Sequence, residues 1–374
     1  MTRTFLHSFD PAAASPVAGP TVDLEVSDIE DAGIREVLQT PGAAYGAWSI
    51  LDELLAPTGA GTPFIFREPL GQAREVKVAL SGLFGRFVAR AYLERHFNLS
   101  IFAHLGSRTI DLDRRRQVKV KRPFRGDLPD WIACASDLSS LTVAEAKGCH
   151  DVAEPAKALD RAWTQAGRID VTAQGRKVTV KRIAIATRWG MAVAGPADVH
   201  LSVRDPVDEG EPVAPEEKNA LFIGLLRLHI ANLIKPLGHA ELAGALHRLT
   251  HQPFARRLQD DLGLARVLLD AASARDVEEA SAIGGLVGGI VTRAGAITDA
   301  DVAPADQEAL ARLNLRPVFV GIERDLIRVA IDAEPDAVRN RLATIVHPDD
   351  FARYDRAGGW IVPLGEERRI SGET

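Results

Sequence analysis

The stretch "PDWIACASDLSSLTVAEAKG", residues 129–148, constrains the fold more than any other in the chain. It holds two short apolar runs, "DWIACA" and "LTVAEAK", with the turn-forming residues "DLSS" between them. Two such runs so close together read as an antiparallel hairpin. The second run is small and apolar on both faces, the pattern of an interior strand covered on both sides. Asp130, Glu145 and Lys147 nevertheless stand in these strands. Charges in an interior strand need a partner or a purpose.

Side chains alternate faces along a strand, so Val143, Glu145 and Lys147 share one face and Thr142, Ala144 and Ala146 the other. With "DLSS" as a four-residue turn, Ser136 pairs with Leu141, Ile132 with Glu145 and Asp130 with Lys147. Directly opposed residues point to the same side, so all three charges converge at one end of one face. A turn one residue longer or shorter flips that register unless a bulge restores it. Two other acids lie nearby in sequence. Asp137 sits in the turn, more than about 15 Å along a strand from Asp130, and cannot share a site with Glu145. Asp127 precedes Pro129, where the chain is still turning. Asp130 is the acid that the register brings to Lys147.

Two carboxylates at one point repel each other, and a hard divalent cation offsets that repulsion. Mg²⁺ prefers carboxylate oxygen, keeps several waters and pairs with substrate phosphates; Mn²⁺ is the alternative. A metal so held activates water and stabilises charge on a phosphodiester. A lysine adds positive charge where negative charge develops, or orients the attacking water.

Pro129-Asp130, a hairpin's worth of residues, then Glu145-Ala146-Lys147, resembles the PD-(D/E)XK nuclease superfamily, the restriction-endonuclease-like fold. The similarity extends to the order of elements, with a helix before the hairpin and a helix then strands after it, over roughly residues 74–190. It implies an α/β fold with a restriction-endonuclease-like core, a mixed sheet flanked by helices. It also implies that Asp130 and Glu145 bind the metal, that the main chain of Ala146 adds a ligand, and that Lys147 is catalytic. Gln165, on the following helix, matches a glutamine that many members place near the site. Some members carry an acid on the first core helix, for which Glu94 is the candidate.

The surrounding chain is organised around this core. Residues 1–61, rich in Ala, Pro and Gly with an acidic middle, read as a partly ordered arm. "REVKVALSGLFGRFVARAYLERHF" from residue 74 has apolar residues at Val76, Leu80, Leu83, Phe84, Phe87, Val88 and Ala91, a helical spacing that Asn98 ends. The runs "SIFAHL", "QVKVKRPF", "KVTVKRIAIAT" and "DVHLSVR" read as strands, and "EPAKALDRAWTQAGRI" as a helix with proline in its first turn. The nuclease-like domain is placed at 62–204 and an acidic, Pro-rich linker at 205–217. A C-terminal region follows at 218–374, helical and then mixed, with "RPVFVGI" and "LIRVAI" as strands. That region is left to recognise substrate, form a homodimer or bind a partner protein. There are 2 cysteines, which suits a reducing cytoplasm rather than a disulfide scaffold. "NALFIGLLRLHIANLI" contains Arg227, His229 and Asn232 and reads as too short and polar to cross a membrane.

A net charge of -6 excludes a uniformly basic surface, so nucleic-acid contact must come from local patches. "RRRQVKVKRPFR", residues 114–125, supplies seven basic residues and no acid just before Asp130. Arg114, Arg115, Arg116, Lys119, Lys121 and Arg122 suit contacts to a phosphate backbone, against the plainer reading of a lysine-defended edge strand. "GRKVTVKR" at 175–182 adds further basic charge. Cys149 and His150 have no matching partners for a zinc site. "GGLVGG", 284–289, lacks the Gly-Lys-Ser/Thr ending of a nucleotide loop and reads as a flexible turn or a point of close helix packing. His229, His239, His247 and His251 read as structural or surface residues.

The expectation is a cytoplasmic, Mg²⁺-dependent nuclease acting on nucleic acid, DNA favoured, of the kind found in restriction, repair or defence against mobile DNA. The rivals are a catalytically inactive nucleic-acid-binding module and a regulatory protein whose basic strand meets an acidic partner.

Overall fold

The computed structural model describes residues 2–10, 19–40, 55–57, 64–66, 74–105, 109–137, 141–149, 155–191, 199–205, 214–252, 254–272, 274–275, 285–292, 295–297, 318–344, 353–354 and 357–363. In the N-terminal half the strands are β1 (Thr2–Asp10), β2 (Thr21–Glu25), β3 (Leu55–Pro57), β4 (Phe64–Phe66), β5 (Ile101–His104), β6 (Ile110–Asp113), β7 (Val118–Lys121), β8 (Trp131–Cys134), β9 (Leu141–Cys149), β10 (Asp170–Ala173), β11 (Arg176–Lys177), β12 (Lys181–Arg188), β13 (Gly190–Met191) and β14 (His200–Arg204). The helices among them are α1 (Val26–Gln39), α2 (Arg74–His96) and α3 (Pro155–Ala166).

A seven-stranded mixed sheet, in the order β2-β1-β14-β12-β9-β8-β5, organises the chain. β9 lies at its interior, parallel to β12 and antiparallel to β8. It is buried over Leu141–Ala146, as its small apolar residues require. Helices cover both of its faces. On one side α2 packs against β9, and two glycines allow it to lie very close. A Cβ at Gly148 would stand 1.6 Å from Ser81 O, and one at Gly85 would stand 2.7 Å from Gly148 Cα. On the other side α3 lays Leu159 and Ala162 against Ala184 and Ala186 of β12. In β12 these two alanines pair with Glu145 and Lys147, so the two charges point toward α3. α2 ends where the sequence predicts, with Asn98 in the left-handed region at φ 55°.

Three expectations about the chain's layout change. Residues 2–39, read as part of an arm, supply β1, β2 and α1: β1 pairs with β14 inside the sheet, and α1 packs against α2. Of the predicted linker, residues 214–217 are described, and Pro215–Glu217 form the first turn of helix α4 (Pro215–Ile234). The C-terminal region also shares the core. Buried side chains form one cluster from Phe5 to Ile361, with α4 packed against β5, β6 and α1. With the 3₁₀ turn Lys235–Leu237 this helix includes a 21-residue stretch, Glu217–Leu237, apolar enough to cross a membrane by length and composition, longer than the sequence suggests. Fully 83% of that stretch is buried inside the protein, which is the environment of a core helix.

The rest of the C-terminal region comprises α5 (Ala240–His251), α6 (Ala255–Ala271), β15 (Ala274–Arg275), β16 (Leu286–Thr292), β17 (Gly295–Ile297), β18 (Val318–Glu323), α7 (Arg324–Asp332), α8 (Pro335–Thr344), β19 (Arg353–Tyr354) and β20 (Gly359–Pro363). "LIRVAI", expected as a strand, is helical. Leu326, Ile327, Ala330 and Ile331 are buried, and that 3.6-residue period decides for α7. Gly288 and Gly289 lie within strand β16 rather than in a turn. A Cβ at Gly289 would meet Leu237 O at 2.9 Å, so "GGLVGG" is a close packing point. His229 is buried and structural, with its Nδ1 3.1 Å from both the Phe102 N–H and Gln39 Nε2.

Candidate active site

β8 and β9 form the expected hairpin, with a different register. Cys134 pairs with Leu141, Ile132 with Val143 and Trp131 with Ala144. The predicted pairs of Ser136 with Leu141, Ile132 with Glu145 and Asp130 with Lys147 are therefore displaced by two residues. Because the side-chain period is two, this displacement leaves every residue on its predicted face. Its effect is to bring Asp130 level with Glu145 instead of Lys147.

The two acids are joined by reciprocal hydrogen bonds. The Asp130 N–H donates to Glu145 Oε2 at 2.8 Å, and the Ala146 N–H donates to Asp130 Oδ2 at 2.9 Å. In an extended strand one residue's N–H and C=O point to the same side, so the Ala146 carbonyl also faces the Asp130 side. Lys147 forms an ion pair with Glu145 Oε1, and its Nζ donates to Gln165 Oε1 of α3 at 2.8 Å. Gln165 Nε2 in turn donates to Leu128 O at 2.5 Å, tying α3 to the segment that leads into Asp130. The structure thus brings Asp130, Glu145, Ala146, Lys147 and Gln165 together.

Electrostatics set this pair apart. Burial pushes Glu145 up, and the neighbouring Asp130 charge adds to it. Lys147 and the Asp130 N–H pull the other way, and the balance leaves the carboxyl raised to about 9. Asp130 is also raised, by burial first, against the pull of Arg86 and His104. Both acids are thus poorly placed to carry their charges without a further cation.

The acid from a helix that adjoins this pair is Glu36, on α1. Glu94, the sequence candidate, is instead held by Arg35 at 2.5 Å and Arg90 at 3.0 Å. Glu36 is fully buried and accepts hydrogen bonds from Trp131 Nε1 at 2.9 Å and Arg90 at 3.4 Å, while His104 Nε2 lies 2.8 Å away. Arg86 spans the two groups, 3.7 Å from Glu36 and 3.8 Å from Asp130. Burial would push Glu36 up, but His104, Arg86 and Arg90 outweigh it and hold the carboxyl well below the usual range. Ile34, Val37 and Leu38, spaced i, i+3 and i+4, are the local signal for α1. Its acidic neighbours masked that signal.

Beyond Lys147 opens a cleft of about 440 Å³. Arg161, Thr164, Gln165 and Arg168 line one wall, with Asp127, Lys147 and Asp160 completing it. The first four are spaced i, i+3, i+4 and i+7, a helical interval readable in the sequence that sets Arg168 just past the end of α3. Asp160 already faces Arg204 at 3.0 Å.

None of Arg114, Arg115, Arg116, Lys119, Lys121 and Arg122 lines this cleft. Arg114–Arg116 stand in the exposed turn between β6 and β7, where the Arg114 N–H donates to Thr250 O of α5 and Arg116 pairs with Asp113. Lys119 and Lys121 lie in a separate four-stranded sheet, β11-β10-β7-β6, opposite Thr172 and Asp170 on β10. Arg122 opens the loop that leads to Asp130. Cys149 is half-buried, and His150 lies outside the described residues. Among the described residues, no group of three or more His, Cys, Asp or Glu side chains is placed to hold a metal ion.

No family model, no curated protein and no solved structure matches this chain. What fold and site define is a mixed α/β protein with two carboxylates, a lysine and a glutamine gathered beside an open cleft.

Proposed function

We propose that this protein is a divalent-metal-dependent nuclease with a restriction-endonuclease-like core, hydrolysing phosphodiester bonds of nucleic acid, with DNA the favoured substrate. The observation that carries the reading is the pair Asp130 and Glu145: Glu145 fully buried and Asp130 largely so, the first accepting the Asp130 N–H and the second the Ala146 N–H, and both held above the ordinary carboxylate range. Two adjoining carboxylates withdrawn from water, with raised proton affinity, are what a cation site looks like in its metal-free form. The donor set suits Mg²⁺ or Mn²⁺. Asp130, Glu145 and the Ala146 carbonyl are all oxygen ligands, and Mg²⁺ commonly takes only one or two carboxylates, with water and substrate phosphate filling the rest. The bound cation would supply an activated water and stabilise charge on the phosphodiester.

This chain's own residues do the remainder. Both acids must shed their protons before they ligate, so cation affinity rises with pH. Lys147 faces the cleft with its ammonium fixed between Glu145 and Gln165, where it offsets negative charge developing on a phosphate or orients the attacking water. Gln165 positions Lys147 and the loop at Leu128 together. The stretch containing Arg114, Arg115, Arg116, Lys119, Lys121 and Arg122 gives sequence-independent contacts to more distant phosphates.

The test is incubation of the full chain with single- and double-stranded DNA and RNA in Mg²⁺, Mn²⁺ or EDTA. Cleavage that requires the cation is expected. Salt-sensitive binding without cleavage would leave an inactive nucleic-acid-binding module. Neither binding nor cleavage would leave a protein-interaction role.

A further inference from the structure

We infer that Phe124 is a base-stacking residue, and that the site accepts an unpaired nucleotide with its phosphates in the cleft between Lys147 and Arg168. The inference deepens the nuclease reading and rests on it.

Residues 122–129 join β7 to Asp130, so the shape of this loop fixes what stands beside the acids. Two arginines brace it. Arg122 turns back on its own loop, its guanidinium donating to Phe124 O at 3.0 Å and to Gly126 O. From the other side Arg168 Nη1 donates to Asp127 O at 3.1 Å. Gly126 has φ +120°, and a Cβ there would meet Arg168 Nη1 at 2.6 Å, so only glycine lets the guanidinium approach this closely. Gln165 holds the loop's end at Leu128. A loop fixed at both ends nevertheless presents Phe124 63% exposed at its tip, beside the exposed Arg122 and Arg125.

Burying a phenylalanine side chain is favourable, and this backbone withholds that gain. Among the described residues the other large apolar side chains above 60% exposure, Phe254 and Val267, lie at the start of α6 and within it, and that helix contributes no residue to the cleft, whereas the loop of Phe124 contributes Asp127. Phe124 stands on the loop that forms part of the cleft: Asp127 lines it, and Gly126 and the Asp127 carbonyl lie against Arg168 of its wall, which also carries Arg161 and Lys147. An aromatic face beside guanidinium groups is the combination that binds single strands, because every base offers a π-face and every nucleotide a phosphate. Bases inside a duplex are already stacked and offer no face to a lone ring. A cleft of about 440 Å³ falls within the size of small-ligand sites, so one nucleotide fits beside Lys147.

The experiment measures binding of the full chain to fluorescein-labelled oligonucleotides in EDTA, where no turnover occurs. Single-stranded DNA and RNA are compared with duplexes of the same sequence, and a 2-aminopurine version reports stacking directly. Phe124→Ala should weaken single-strand binding by roughly tenfold or more and abolish the 2-aminopurine quenching. Duplex binding should change less than twofold, Phe124→Trp should restore the single-strand affinity, and Val267→Ala should alter nothing. Unchanged circular dichroism in Phe124→Ala excludes misfolding. Equal losses on single strands and duplexes, no loss at all, or a wild type that binds no single strand would overturn the inference. The two readings fail separately. Cation-dependent cleavage with a silent Phe124→Ala sinks only the stacking site. A Phe124-dependent single-strand affinity without cleavage sinks only the nuclease activity.

Discussion

Glu145→Gln is expected to stabilise the metal-free protein and to remove its response to divalent cations. The Glu145 side chain is 0% exposed, and its carboxyl is raised to about 9 by burial and by Asp130. At pH 7 the folded protein must hold a proton there that a solvated glutamate, with an ordinary value of 4.5, has already lost. At about 1.4 kcal/mol for each tenfold in proton affinity, holding it costs the folded state about 3 kcal/mol. Glutamine is isosteric and uncharged, and its carbonyl oxygen can still accept the Asp130 N–H. Its amide must also replace the carboxyl oxygen that lies against Lys147, which takes back part of the gain. A net stabilisation of about 1–2 kcal/mol remains, or about 1–3 °C in melting temperature for a chain of this length. The pH dependence follows from the direction of the shift. A carboxyl whose folded value is raised contributes stability that is complete below its ordinary value and lost as pH rises through the folded one. Wild type should therefore match the variant below about pH 4.5 and fall progressively beneath it up to about pH 9. A divalent cation at a hundred times its dissociation constant reverses the order, stabilising wild type by about 2.7 kcal/mol and the variant far less. Thermal unfolding between pH 4.5 and 9, in EDTA and in Mg²⁺ or Mn²⁺, measures all of this. A variant that melts below wild type in EDTA at pH 8, or one that keeps the full cation-induced rise, would refute the reasoning.

Lys147→Ala is expected to abolish cleavage while keeping the cation-induced rise in melting temperature, since the lysine is not a metal ligand; wild-type turnover would remove it from the mechanism. Asp130→Asn should abolish metal-dependent cleavage, Asp137→Asn should be nearly silent, and Asp127→Asn, at the cleft wall, should have a small or intermediate effect in the same turnover assay. Replacing Arg114, Arg115, Arg116, Lys119 and Lys121 with glutamine should weaken binding to all sequences alike and flatten its dependence on salt, because phosphate contacts release counterions. An unchanged salt slope would mark the patch as a solvated edge. Glu36→Gln breaks a buried network around Arg90 and Arg86 and should cost about 3 kcal/mol or more in denaturant unfolding, whether or not a cation is present.

Much of the site was legible in residues 129–148. Alternation along a strand placed Glu145 and Lys147 on one face whatever the turn length, and small residues on both faces of β9 announced its burial. The register differs from the expected one by two residues, which preserves the face and brings Asp130 level with Glu145. Gln165 was implied by the resemblance, on the helix after the hairpin. That helix also carries Arg161, and Arg168 follows just past its end at readable spacing. Where local pattern was ambiguous the reading failed. "LIRVAI" is short and apolar enough for either strand or helix, and only its packing as α7 decides.

What the sequence alone determined is the local arrangement: an interior hairpin, its period-two faces, and the helices whose apolar stripes must cover it. What only the tertiary structure decided is which distant segments meet there. β1 joins the sheet through parallel pairing with β14, a contact between remote residues with no local signature. Glu36 approaches Asp130 because α1 packs on α2, and Arg86 then spans the two carboxylates. Charge patterns along a chain do not say which opposite charge will be near once water is excluded. In a buried site that choice sets whether an acid is held below the usual range, as Glu36 is, or above it, as Glu145 is.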